Sequence, residues 1–189
     1  GTFVRASEDK ISIVNHADLR PTGAFSISGW IKTTDKGVNK RIFVSYANAG
    51  NKVAGIMFYV GSGNGFSATS GKNTGESEGT DWENIAGTVD VTDGVWHHGI
   101  LTWDLTKLRI YTDGGDKVEV SWNKAPVYKG TNYIRIGSMY DDDEGEGEFR
   151  FMQGSIDEVI LWNGVALSDA EVLAVHNISS YNNNTFFEF

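Results

Sequence analysis

The sequence predicts an all-β protein, an antiparallel two-sheet β-sandwich with one short C-terminal helix. Three observations carry this. Apolar and polar residues alternate with period two along most of the chain, the spacing of half-buried strands. A helical pattern with a start signal occurs once, after residue 168. And 23 Gly against only 2 Pro in 189 residues suit many short strands joined by tight turns.

Strands are expected at 11–14, 25–33, 41–47, 54–60, 66–70, 87–89, 97–104, 108–112, 117–121, 134–137 and 149–162. In the second of these, Phe25, Ile27, Gly29 and Ile31 share one face, while Ser26, Ser28, Trp30 and Lys32 share the other. The first set reads as core. Trp30 then needs a separate cover, which the C-terminal helix can provide. That helix is signposted by Ser168 as cap, Glu171 three residues on to complete a capping box, and Leu167 and Val172 as a hydrophobic staple. At about ten residues it would be marginal alone, so it should dock on a sheet. In the last strand Ile156, Val159 and Leu161 share a face only with a bulge near Asp157 and Glu158, unless the strand is buried on both sides. Thr112-Asp-Gly-Gly-Asp116 reads as a hairpin, because Asp-Gly tolerates positive φ. Residues 61–65 form another turn, residues 71–84 and 139–148 long polar loops, and the aromatic tail 185–189 a returning edge strand.

At this length the chain fits a single domain over 1–189, with 40% hydrophobic and 12% aromatic residues to build its core. It contains no cysteine, which excludes disulfides, thiolate metal sites and a cysteine nucleophile. A formal net charge of −9 with dispersed Lys and Arg repels phosphate backbones and anionic lipid, so neither nucleic acid nor a membrane surface is an expected partner. No apolar run approaches the roughly 20 residues of a membrane span, and no signal segment opens the sequence.

Gly154-Ser-Ile-Asp-Glu-Val-Ile-Leu-Trp-Asn163 followed by Ala166-Leu-Ser-Asp-Ala-Glu-Val172 resembles the closing phrase of the laminin G-like jelly rolls, the lectin-like and pentraxin-like domains of the concanavalin A type. Ala24-Phe-Ser-Ile-Ser-Gly-Trp-Ile-Lys32 is similar to that family's early core strand, and Asp93-Gly-Val-Trp-His-His98 to its central strand entry. The likeness runs from about residue 7 to 177. It implies a concanavalin A-like jelly roll, and a non-catalytic carbohydrate-binding or adhesion module working outside the cell or on its surface. Its partner would be a polysaccharide or glycoconjugate, and it can belong to a longer chain with other domains. The resemblance also implies a structural calcium between the N-terminal segment and the last strand. Asp157 would be its ligand, with Asp9, in Ala6-Ser-Glu-Asp9, as a second. Hard carboxylate and carbonyl oxygens suit that ion. The alternative for Asp157 is to cap backbone amides at the bulge.

Other residues point to ligands by their chemistry. Sugar rings stack on exposed aromatic faces, and Trp82, Trp122 and Tyr140 are the large aromatics least expected in the core; Trp30, Trp96, Trp103 and Trp162 fall in strand patterns. Asp142 stands in the acidic run 141–148, whose six carboxylates do not follow EF-hand spacing but can rim a ligand. In that run Glu144, Glu146 and Glu148 alternate as a glycosidase pair would, yet Gly145 and Gly147 between them weaken a strand, and the middle Asp of laminarinase-type enzymes is missing. His97 and His98 point to opposite faces and read as packing rather than as a base. Two readings therefore stand beside glycan binding: a structural interaction domain of a larger surface or phage protein, and a glycan-cleaving enzyme.

Overall fold

The computed structural model describes residues 1–14, 16–37, 40–48, 53–71, 82–128, 133–141 and 147–184. Two six-stranded sheets stack face to face, and every strand pairing in them is antiparallel. The first contains, in spatial order, β1 (Thr2–Phe3), β14 (Gly154–Asn163), β3 (Phe25–Lys32), β8 (Trp96–Trp103), β9 (Lys107–Thr112) and β10 (Asp116–Ser121). The second contains β2 (Ile11–Ile13), β11 (Tyr133–Ile136), β4 (Lys40–Asn48), β5 (Val53–Val60), β6 (Phe66–Gly71) and β7 (Trp82–Ala86). A small ribbon pairs β12 (Met139–Asp141) with β13 (Gly147–Phe149), and one helix, α1 (Asp169–Asn184), closes the chain.

The core between the sheets follows the alternation. Phe25, Ile27 and Ile31 of β3, Leu101 and Trp103 of β8, and Leu108 and Ile110 of β9 meet Ile42, Ile56, Phe58, Phe66, Ala68, Ile85 and Ile134 from the second sheet. Gly29 and Gly99 are register partners on β3 and β8. A Cβ on Gly99 would fall 2.5 Å from the Phe66 ring, so the missing side chain is what lets that ring seat between the sheets.

The other face of the first sheet has its own cover. Ile100, Tyr111, Leu167 and Val172 form a second apolar cluster beneath α1. The helix is fixed there by the predicted box: the Ser168 amide donates to Glu171 Oε2 at 2.8 Å, and the Glu171 amide donates to Ser168 Oγ at 3.4 Å. The Leu167 amide donates to Ser26 Oγ at 2.9 Å, and Ser26 Oγ donates to the Val165 carbonyl at 3.0 Å, which ties the helix entry to β3. Tyr111 Oη and Lys117 Nζ both donate to the Asp169 carboxylate, at 2.8 and 2.7 Å. Trp30 is 5% exposed and stacks on His98 with ring centroids 4.7 Å apart, and on His176 of the helix at 5.5 Å.

Several expectations need correction. The edge strand expected at 87–89 is instead Trp82–Ala86, so Trp82 opens a strand rather than sitting in a loop. The expected 149–162 strand is two: Arg150 adopts φ +59° and breaks the ladder, and Phe151 and Met152 turn inward to be buried. The helix has 16 residues. Trp96 and Trp162 are half-buried. The bulge is present: β14 and β3 lose register between Asp157 and Ile160, with Glu158 at φ +46°. The Asp113-Gly114 hairpin carries the positive φ values 51° and 74°. The tail expected at 185–189 lies outside the described residues.

The ring stack makes the helix seam sensitive to acid. Burial first, and then the neighbouring His176, lower the His98 pKa from 6.5 to about 4. The folded state therefore rejects a proton that the unfolded chain accepts. His98 contributes its full stability above about 6.5, and loses it as pH falls toward 4, roughly 3 kcal/mol in all at 1.36 kcal/mol per pKa unit. His97 opposes this. Burial works against its proton, but hydrogen bonds donated to the Asp113 and Asp93 carboxylates outweigh it and raise its pKa, so its contribution is present at low pH and fades as pH rises through the raised value. The His98→Phe variant isolates the first effect: its unfolding midpoint should fall distinctly less than that of the wild type between pH 7 and 4, as read by circular dichroism.

Candidate functional site

With α1 packed on the outer face of the first sheet, the outer face of the second is the candidate surface for a ligand. Inward residues identify it. Ile56, Phe58, Phe66, Ala68, Ile85 and Ile134 face the core, so Met57, Tyr59, Ser67, Thr69, Asn84 and Arg135 face outward. Register aligns these residues into rows across the strands. Arg135, Val44, Met57, Thr69 and Asn84 form one row over β11, β4, β5, β6 and β7. On one side lies Arg41, Tyr59, Ser67 and Ala86, and on the other Tyr133, Tyr46, Gly55, Gly71 and Trp82.

The middle of this face is a polar chain with a defined direction. Thr69 Oγ1 donates to Asn84 Oδ1, so the Tyr59 hydroxyl, 3.3 Å from Thr69 Oγ1, donates to it. That leaves the Asn84 NH2, on an exposed residue, to donate outward. Met57, Ser67, Thr69 and Arg135 form a recessed floor, all of them buried. A recessed floor of hydroxyl, amide and guanidinium groups beside a row containing Tyr and Trp positions suits a polyol with an apolar C–H face.

The structure sorts the residues predicted from sequence. Trp82 falls at the end of the Tyr133–Tyr46 row, opposite Gly71. Tyr140 lies on β12 opposite Glu148, and β12 packs beside β4 and β11. Asp142, Glu144 and Glu146 lie outside the described residues. Trp122 is corrected: it is 5% exposed within the main core. Its amide donates to the Thr106 carbonyl at 2.7 Å and its carbonyl accepts from Trp103 Nε1 at 2.7 Å, so the hairpin end folds back as a lid and offers no open ring to a sugar. Tyr59, Thr69, Asn84 and Arg135 were not anticipated; the alternating Met57 and Tyr59, Ser67 and Thr69 were the available signal.

Asp157 and Asp9 each hold a backbone amide. Asp157 Oδ1 accepts from the Glu158 N–H at 3.0 Å, the bulge-capping role, and Asp9 Oδ2 accepts from Val4 N–H at 2.8 Å. Among the described residues no three His, Asp or Glu side chains converge as a metal group. The second oxygen of each carboxylate is uncommitted among the described residues, and is of the hard type calcium takes. His97 is fully engaged, with Nδ1 2.8 Å from Asp113 Oδ2 and Nε2 3.1 Å from Asp93 Oδ1, which makes it a clamp on the strand entry rather than a free base. Among the described residues no helix is long and apolar enough to cross a membrane.

Solved structures share this architecture. The chain resembles the CBM40 of the Ruminococcus gnavus IT-sialidase, with a TM-score of 0.68 at 18% identity over 85% of this chain and 86% of that one. It resembles the binding domain of Paraclostridial Mosquitocidal Protein 1, with a TM-score of 0.68 at 16% identity over 96% of this chain and 43% of that one. It also resembles domain 4 of AbnA, a GH43 extracellular arabinanase of Geobacillus stearothermophilus solved with arabinotriose, with a TM-score of 0.57 at 18% identity over 84% of this chain and 69% of that one. No curated protein matches it significantly. The Laminin_G_3 model of the concanavalin A-like lectin/glucanases superfamily matches residues 5–173, and the chain belongs to that family.

Proposed function

We propose that the chain is a non-catalytic carbohydrate-binding module that holds a glycan on the outer face of the second sheet. The observation that carries this reading is the directed chain Tyr59–Thr69–Asn84 beside the Tyr133–Tyr46–Trp82 row. It ends in an outward amide donor, and sugar hydroxyls are the natural acceptors. Similar folds solved with α2,3 sialyllactose and with arabinotriose support a glycan as the class of ligand, by analogy of fold. A surface or extracellular setting follows from the same analogy and is part of the proposal. Tyr140, on the ribbon beside β4, would stand at its rim, and Asp142 is kept as a candidate ligand contact from its sequence.

A glycan array with the full chain tests this. Retention of at least one polysaccharide class is expected, with about tenfold weaker binding in Asn84→Ala, the loss of one or two hydrogen bonds. Failure to retain any glycan, with assembly into a defined oligomer, would favour a structural interaction domain. Release of reducing ends that disappears in Glu148→Gln would favour an enzyme.

Calcium is a separable part of the proposal. Bound through Asp157 and Asp9, it would add a cross-link between the N-terminal segment and β14, which already meet through reciprocal bonds of Gly1 and Ile156 at 2.8 and 3.0 Å. Millimolar calcium should then raise the unfolding temperature of the wild type and not of Asp157→Ala. An unchanged wild-type midpoint with calcium and with chelator contradicts it.

A further inference from the structure

We propose that the cleft between residues 17–22 and 126–128 is a second subsite, built for a carboxylate-bearing sugar. The inference rests on the glycan-binding reading and adds a substrate class to it. The cleft has a volume of about 460 Å³ and is lined by Ala17, Arg20, Thr22, Pro126, Val127 and Tyr128. That size lies within the range of small-molecule sites.

Among the described residues of that lining Arg20 is the one charged side chain, with no carboxylate beside it. Its Nε is buried and has no hydrogen-bond partner. A buried guanidinium donor left unmatched is costly, and its planar fork is matched best by a carboxylate taken up through two parallel hydrogen bonds. The Arg20 charge also reaches the adjacent phenol: burial pushes the Tyr128 pKa well up, and Arg20 pulls it the other way.

The cleft is held in shape from both sides. A 3-10 turn at Ala17–Leu19 is closed by the Arg20 amide on the Ala17 carbonyl at 3.0 Å, and Tyr128 Oη donates to the Pro21 carbonyl at 3.1 Å, joining the two walls. Pro126 and Val127 supply an apolar side for the C–H face of a ring, and Thr22 a hydroxyl. The Val127 amide donates to the Gly71 carbonyl at 3.1 Å. Gly71 belongs to the row that includes Tyr46 and Trp82, so this wall is bonded to the end of the proposed glycan face. A glycan with an acidic residue could engage both. The net charge of −9 discourages unspecific capture of anions, which makes a local cation the discriminating element.

The test follows the Arg20 Nε–H signal of the full chain by NMR during titration with an oligogalacturonide and, separately, with its methyl ester. The acid should shift that signal and bind about tenfold more tightly than the ester, with Arg20→Gln binding both equally and Arg20→Lys intermediate. Equal binding of acid and ester by the wild type, no acid binding, or an unmoved Arg20 signal would overturn the proposal. An equal response to a sulfated oligosaccharide would overturn its restriction to carboxylates. Unfolding midpoints of both variants verify folding. Neutral glycans retained through Asn84 while Arg20 stays silent would remove this subsite alone; an Arg20 response unaffected by Asn84→Ala, with no neutral glycan retained, would remove the sheet-face reading alone.

Discussion

The burial of Trp30 is the constraint on which the rest of the arrangement depends. Strand alternation sends Phe25, Ile27 and Ile31 into the core between the sheets, and it must send Trp30 the other way. A large ring on an outer face exposes much apolar surface unless something covers it. Here α1 covers it, with His98 and His176 stacked against the indole, while Leu167 and Val172 pack with Ile100 and Tyr111 on the same face. With the outer face of the first sheet covered by this contact, the proposed glycan face lies on the second sheet. The division of labour between the two faces thus follows from one residue on β3.

Much of this was legible in the sequence because it is local. The capping box needs only Ser168 and Glu171, the hairpin only Asp113 and Gly114, and the bulge only the misfit of Ile156, Val159 and Leu161 on one period-two face. The family resemblance was readable for the same reason, since its motifs are short and contiguous. Trp122 was misread because its environment is not local: Trp103, 19 residues away, holds its carbonyl and draws the ring inward. The 150–153 break was missed because Phe151 and Met152 keep an apolar strand-like look while Arg150 leaves the extended region.

The outer face of the second sheet was the least legible part. Its central row collects residues 135, 44, 57, 69 and 84, one from each of five strands, and nothing but register brings them into line. Composition gave no hint, because Thr, Asn and Arg at alternate strand positions are what any solvated sheet face shows. What sets this row apart is the closed sequence of donors from Tyr59 through Thr69 to Asn84, together with the recession of Met57, Thr69 and Arg135. The histidines tell the complementary story. Both nitrogens of His97 are held by carboxylates and His98 is sealed beneath the helix, so the pair that looks most like catalytic equipment in the sequence maintains the scaffold.

The most direct measurement of this division is amide chemical-shift mapping with a retained glycan bound. The account predicts perturbations concentrated on the outward positions of β5, β6, β7 and β11, with Trp30, His98, Tyr111 and Val172 unmoved. Perturbations centred on α1 and the first sheet, with Tyr59, Thr69 and Asn84 silent, would contradict it.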